Sequence, residues 1–477
     1  MRNRCTRRIG RKKFRAAFVF LLLILPLTAA AETLVLRGGT IIDGTGRRGS
    51  RIRNGIIVIR DDTIEAVGRA EEVAVPAGAR IVDTRGKWIV PGLVDAHVHF
   101  FQSGGLFTRP DVIDLQNMVP HEREQRWFRN RLEYTFNRYL VSGVTAVLDS
   151  GGSDWVFQVQ NRARELNAAP RVAVSGPLIT TYRGQLDTLA DSPRVHVETP
   201  DEAREAVLRV AERDPDLVKI WFIREETVSL DGQLEIYQAA IQTAHGQGLR
   251  VLAHATELET AKAVLRAGAD VLAHSVYDRV VDDEFIGLMR SRDAVYVTTI
   301  VVNEGYEEVL QRRVRLTRVE KEWGDPAIVS SWDKLHRKRP PYHLSGWYDK
   351  VGKPVVLKNL KILQDAGVTL AAGSDAGNIG TLHGPSLHRE FELMAEAGLT
   401  PAEILRSATA GGARAVSPNP RFGTLERGNL ADILILRANP LITSRNLSKI
   451  DGIVADGHYF DHETLVSQTP PPPLSLE

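Results

Sequence analysis

The sequence predicts an α/β protein: a (β/α)8 TIM-like barrel with a small composite β-sandwich domain built from both termini. Three observations carry this expectation. Eight short apolar runs between residues 91 and 420 alternate with segments of helical periodicity, and eight strands with helical crossovers close a parallel barrel. Outside those bounds the texture changes to short alternating strands punctuated by Gly and Asp. The polar residues that end the apolar runs are imidazoles and a carboxylate, and a barrel gathers its functional groups at the carboxyl ends of its strands.

The chain opens with a segment outside this fold. Eight of the first 15 residues are Lys or Arg and none is acidic; the apolar run Ala16 to Leu27 follows, then Ala29-Ala30-Ala31 before Glu32. A basic start, a short apolar centre and small residues in that order read as a signal peptide over residues 1–31, so the protein is expected to be exported to a periplasm or the medium. The run is shorter than the about 20 apolar residues of a membrane span, and no later stretch is long enough. The whole chain carries 61 basic and 59 acidic residues; without the eight basic ones of the leader, 53 face 59, which offers no basic surface for nucleic acid. The single cysteine, Cys5, also lies in the leader. The mature domain must therefore rely on its core rather than on disulfides, and must hold any metal by nitrogen and oxygen.

Residues 32–90 contain ETLVLRGGTIIDGTG, GIIVIRDDTIEAVG and ARIVDTRGKWIVPG, too few strands for a complete unit. The same texture returns over residues 421–462, in GTLERGNLADILIL and SKIDGIVADGHYF, and is expected to complete it. Residues 463–477, ending in QTPPPPLSLE, are expected to be a disordered Pro-rich tail.

Residues 91–420 are the barrel. Its first strand is IVPGLVDAHVHF, Ile89 to Phe100, and the two-residue period of a strand points His97 and His99 the same way. VTAVLD (Val144 to Asp149), RVAVSG (Arg171 to Gly176), LVKIWF (Leu217 to Phe222), RVLAH (Arg250 to His254), DVLAH (Asp270 to His274), VYVTTI (Val295 to Ile300) and VTLAAGSD (Val368 to Asp375) follow. Between them, TPDEAREAVLRVAERD offers Thr199 or Asp201 as a helix cap, and TELETAKAVLRAGA closes at Gly268.

His97 and His99 on the first strand, His254 on the fifth, His274 on the sixth and Asp375 on the eighth thus share one rim. Lys219 joins them from inside the fourth strand, where a bare ammonium is costly and burial favours the neutral amine. A neutral amine can take up carbon dioxide as a carbamate, an anionic ligand able to bridge two cations. The alternative for Lys219 is a salt bridge to an acid elsewhere, or a stem that snorkels to the rim.

These stretches, together with AAGSDAG, HGPSLHREFELMAEAGLTPAEILRSATAGGARAV and GTLERGNLADILIL, resemble the metal-dependent amidohydrolase superfamily that includes urease, dihydroorotase and imidazolonepropionase. Within it they are similar to the imidazolonepropionase-like proteins and the amidohydrolase-type Xaa-Pro and Xaa-Arg dipeptidases. The resemblance implies two divalent ions, zinc first among the choices. His97, His99 and Asp375 would hold the more buried ion, His254 and His274 the more exposed one, and carboxylated Lys219 would bridge them with a hydroxide as nucleophile. Asp375 would accept the proton and deliver it to the leaving nitrogen. Some relatives work with one metal, and that variant would leave Lys219 unmodified.

Specificity is expected from the long connections. Residues 100–140 exceed a short barrel loop, and residues 301–355 interleave aromatics with arginines, which suits a lid or an oligomer contact. Tyr182, Arg183, Tyr342, His343 and His383 are the candidate substrate contacts, with Arg183 and the basic lid expected to receive a carboxylate, and with support of the loop above the eighth strand as the other role open to His383. The first functional reading is hydrolysis of amide bonds in dipeptides or N-acyl amino acids; the second is hydrolysis of a cyclic amide. A noncatalytic periplasmic binding protein on the same scaffold is the alternative of another class, and it would be expected to have lost some of the six rim residues, all of which are present.

Overall fold

Alternating apolar residues at both ends of the chain and continuous apolar runs in its middle build two different sheets. In the computed structural model, residues 33–47, 51–189, 191–225, 228–335 and 348–468 are described. The N-terminal part contributes β1 (Thr33–Ile42), β2 (Arg51–Arg60), β3 (Thr63–Arg69), β4 (Arg80–Asp83) and β5 (Trp88–Pro91). The middle contributes β6 (Leu93–Val98), β7 (Val144–Asp149), β8 (Arg171–Val174), the short pair β9 (Leu178–Thr180) and β10 (Arg194–His196), and then β11 (Leu217–Trp221), β12 (Arg250–His254), β13 (Val271–Ala273), β14 (Val295–Val297) and β15 (Thr369–Ala371). β16 (Ile433–Leu436), β17 (Ile450–Ala455) and β18 (His458–Asp461) complete the chain.

The outer sheet has the order β18-β17-β16-β5-β1-β2-β3, with β4 also on β1. The two termini meet where β16 pairs antiparallel with β5, Ile433 opposite Pro91 and Leu436 opposite Trp88. Because side chains alternate along each strand, Leu34, Leu36, Ile57, Ile59, Ile89 and Ile433 fill one core while Val35, Ile56 and Val58 fill another. The composite β domain expected from the two ends is therefore this sheet.

The barrel consists of β6, β7, β8 and β11 to β15, joined in parallel register. Its two seams close through backbone hydrogen bonds: Asp216 N donates to Val174 O at 2.9 Å between β8 and β11, while Ala96 N to Ala372 O at 2.9 Å, Asp375 N to His97 O at 2.8 Å and His99 N to Ala376 O at 2.8 Å join β6 to β15 and the turn after it. Gly373 permits the second closure. A Cβ there would lie 2.9 Å from His97 Cβ and 2.7 Å from Val297 Cγ1, so only glycine lets the last strand reach the first behind His97. Ala96, Leu148, Ala173, Leu217, Leu252, Val271, Val295 and Ala371 fill the interior, and helices pack outside. Thr199 caps the helix Pro200–Ala211 by accepting from Glu202 N, and Gly268 at φ 122° ends Leu258–Ala267, as their sequences predict.

Two expectations are corrected. VYVTTI is a strand only to Val297; Thr299 turns into the left-handed region at φ 43°, and Ile300 begins a helix to Leu310. The buried Glu390 carboxylate enforces this turn by accepting from Ile300 N at 3.0 Å and Val301 N at 2.8 Å, serving as the cap that Thr299 does not supply. The disordered tail does not start at residue 463: His462–Gln468 is helical, because Leu465 packs into the main core and its carbonyl accepts from Asn137 Nδ2. Residues 469–477 and the leader over residues 1–31 lie outside the described residues, and no described helix is long and apolar enough to cross a membrane.

Candidate metal-binding active site

The carboxyl ends of β6, β11, β12, β13 and β15 bring five of the six rim residues, His99, Lys219, His254, His274 and Asp375, to one cavity of about 390 Å³, and the buried His97 packs against His274 beside them. His97 Nε2 lies 3.3 Å from His99 Nε2, and these nitrogens are 3.6 and 3.2 Å from Asp375 Oδ1. His274 Nδ1 is 3.6 Å from Asp375 Oδ2. The His274 ring centre is 4.6 Å from that of His97 and 4.4 Å from that of His254, so the four imidazoles form a continuous arc. His274 and Asp375 both hold positive φ, 73° and 53°, a strained backbone for non-glycine residues and of the kind that clusters at functional sites.

Neighbours aim His99, His274 and the turn that carries Asp375. His99 Nδ1 donates to Gly151 O at 2.7 Å, which turns Nε2 toward His97 and Asp375. His274 Nδ1 pairs with Thr299 Oγ1 at 2.8 Å, so the left-handed turn before the helix Ile300–Leu310 has a use. Asp149 ties β7 to β6 by accepting from Phe100 N at 2.9 Å. Asp95 accepts from Ser374 N at 2.8 Å and Ser374 Oγ at 2.5 Å, locking β6 to the turn that carries Asp375.

Burial, reinforced by the neighbouring Lys219, pushes His97 and His254 well below the ordinary imidazole range; burial and then His254 do the same to His274. The three rings are neutral near pH 7, the form that binds metal. Burial also pushes the Lys219 amine down to about 7, with Asp375 opposing it. Lys219 is 1% exposed and its Nζ has no hydrogen-bond partner among the described residues, so the salt bridge weighed as its alternative is not formed there. Neutral imidazoles, a carboxylate and an unpartnered buried amine form an N/O donor set that fits divalent cations. His97, His99 and Asp375 already present one ligand atom each within 4.8 Å of one another.

The candidate substrate contacts fare differently. Tyr182 stands beside the rim, 36% exposed, with its ring edge-on to Trp221 at 6.0 Å, but it does not line the cavity. Arg183 is corrected: it is a solvent-facing residue, its side chain 67% exposed and paired with Glu198. His383 takes the second of its two expected roles, loop support rather than substrate contact. It is buried between the rings of Phe100 and Phe128, accepts from Tyr139 OH at 2.7 Å and donates from Nε2 to Gln102 O at 2.9 Å, which makes it a support for the loop after β6. Tyr342 and His343 lie outside the described residues. Of the expected basic lid, Arg313 pairs with Glu307 and Asp349 and Arg318 with Glu322, away from the cavity. The helix Ile300–Leu310 contributes Val302, Asn303 and Tyr306 to the wall instead.

Sequence reasoning missed Arg109, Asp111, Asn378, Trp221 and Arg224, all of which line the cavity; Tyr306, one of the aromatics of the 301–355 segment expected to set specificity, lines it too. Arg224 Nη1 is braced on Val228 O at 2.6 Å and Gln233 Oε1 at 2.8 Å. Asp95 was legible, since it shares the two-residue period of His97 and His99. Phe101, Leu178, Leu186, Trp221 and Ile223 supply the apolar part of the wall.

A parallel barrel with nitrogen and oxygen ligands gathered on its carboxyl rim has the architecture of a metal-dependent hydrolase. The chain belongs to the amidohydrolase family, which it matches over residues 88–459. It is 22% identical to an imidazolonepropionase of Brevibacillus brevis over 467 residues, covering 90% of this chain and 96% of that protein. Among solved structures, a protein from Bifidobacterium longum provisionally assigned as a prolidase superposes with a TM-score of 0.67 at 26% identity, covering 92% of this chain and 99% of that one. A Xaa-Pro dipeptidase with bound methionine shares the fold, with a TM-score of 0.68 at 22% identity, covering 90% and 100%. The protein is a metal-binding hydrolytic enzyme that acts on carbon-nitrogen bonds.

Proposed function

We propose that the enzyme hydrolyses amide bonds in dipeptides or N-acyl amino acids, using a pair of zinc ions with Lys219 carboxylated between them. The observation that carries this reading is the convergence of four neutral or ligand-aimed imidazoles, Asp375 and the unpartnered Lys219 at one cavity. His97, His99 and Asp375 would hold one ion, and His254 and His274 the other. When bound, such ions supply a Lewis acid for the scissile carbonyl and make water a nucleophile near neutral pH. Asp375 takes the proton of the attacking water and returns it to the departing nitrogen, the step that makes the amine a viable leaving group. The apolar wall around Trp221 and Ile223 receives the side chain, and Arg224, a planar fork suited to a carboxylate, faces its free terminus.

The Bifidobacterium longum protein and the Xaa-Pro dipeptidase support the dipeptide class; the imidazolonepropionase relative supports a cyclic amide as the second reading. A zinc-loaded screen of dipeptides, their C-terminal amides, N-acyl amino acids and small lactams separates them. Amidation should cut dipeptide turnover by about tenfold or more, since losing an Arg-carboxylate pair costs ~1.5–3 kcal/mol. Equal turnover of acid and amide forms removes the carboxylate clamp, and activity confined to lactams moves the enzyme to the cyclic-amide class. Export to the periplasm or the medium belongs to the same proposal, on the strength of the leader Met1 to Ala31. Enzyme recovered from a host able to export it should begin near Glu32 by N-terminal sequencing; a chain that retains Met1 contradicts cleavage of the leader, and activity confined to the cytoplasmic fraction contradicts export.

A further inference from the structure

We propose that Asn378 is the positioning residue of the Asp375 carboxylate, and that Arg109 and Tyr306 fix which way its amide faces. The proposal rests on the reading of Asp375 as a metal ligand and proton carrier. Asn378 is buried in the turn after β15, three residues beyond the acid. Its Nδ2 donates to Asp375 Oδ1 at 2.7 Å and to the Asp375 carbonyl at 3.2 Å. Its Oδ1 accepts from Tyr306 OH at 2.6 Å and from Arg109 Nη1 at 2.5 Å.

The chemistry of the partners sets this orientation. A guanidinium only donates and an ionised carboxylate only accepts, so an amide placed between them can stand in one sense alone. Turning it over would set NH2 against the arginine and carbonyl oxygen against the acid, replacing two charge-assisted bonds by two repulsions in a buried place. Arg109 cannot follow such a turn, because Asp111 holds it through Nε at 2.8 Å and Nη2 at 2.7 Å. Burial disfavours the Arg109 charge, but the ion pair with Asp111 outweighs it.

The consequence falls on one oxygen of the acid. Oδ1, the atom 3.2 Å from His99 Nε2, is the one that Asn378 holds; Oδ2, near His274, takes no share in this chain. The amide therefore distinguishes the two oxygens, reserving Oδ1 for the His97 and His99 side. It also braces the strained Asp375 backbone, with help from Thr381 Oγ1, which donates to the Asp375 carbonyl at 2.9 Å. Three separate elements meet here: the loop after β6, the helix Ile300–Leu310 and the turn after β15. The loops that line the cavity are in this way tied to the aim of the acid.

The test is a double-mutant cycle read by zinc affinity, using chelator competition on the full-length protein. Asn378→Ala should weaken the tighter zinc by about 10- to 100-fold, the usual cost of removing a partner of a ligand. Tyr306→Phe, which deletes only a hydroxyl, should weaken it less, and should have no further effect in the Asn378→Ala background. Zinc affinity unchanged by Tyr306→Phe, or losses that simply add in the double variant, would overturn the proposal; the Tyr306→Phe arm serves alone if Asn378→Ala fails to fold. Wild-type protein that takes up no zinc overturns the metal reading together with this one, whereas normal uptake in the wild type and both variants overturns this one only.

Discussion

Asp375→Asn is expected to lower hydrolysis by about two to four orders of magnitude while the protein stays folded and still takes up zinc. The substitution is nearly isosteric, and its amide oxygen can still receive the bond from Asn378 Nδ2 that Asp375 Oδ1 receives at 2.7 Å. What it loses is basicity: an amide cannot carry a proton from water to the leaving nitrogen. A large fall in kcat with zinc retained assigns Asp375 the proton transfer, and near-normal turnover in a zinc-loaded variant excludes it from that role. The comparison requires the zinc content of each preparation to be measured beside its rate, since Asp375 is read as a ligand as well.

The second large effect is expected at Lys219. Its Nζ is buried in the barrel wall without a partner among the described residues, and burial brings it down to about 7, so a substantial neutral fraction is available to carbon dioxide at physiological pH. Lys219→Ala should abolish the bridging ligand, weaken binding of the metal pair by about tenfold or more and reduce activity with it. Added formate or acetate should restore part of both, because a free carboxylate can occupy the space the carbamate leaves. Retention of the metal pair and of activity in Lys219→Ala would mean that the lysine is a core residue. The melting temperature of the variant separates these cases from misfolding.

The rim was legible because its residues obey local rules. His97 and His99 share a strand face by their spacing, and His254, His274 and Asp375 each follow an apolar run at a point where a barrel places its chemistry. The two-ended sheet was legible through the same period of two. The network around Asn378 was not, since Arg109 and Asn378 are 269 residues apart and no periodicity links them. Arg183 was misread because nearness in sequence to the third-strand loop does not say where a side chain points; Glu198, brought alongside by β10, draws it outward. His383 matches a recurrent position of the family the sequence resembles, which suits substrate contact and loop support alike; only the rings of Phe100 and Phe128, which hold it in the core, decide for support. The left-handed Thr299 depends on Glu390, some ninety residues away, which no local pattern reveals.

The measurement that bears most directly on the account is an anomalous-scattering map at the zinc edge from crystals of the wild-type enzyme grown with zinc and bicarbonate. A binuclear zinc site predicts two peaks, one against His97, His99 and Asp375 and one against His254 and His274, with extra density on Lys219 Nζ between them. A single peak beside an unmodified Lys219, or no peak at this rim, would contradict it.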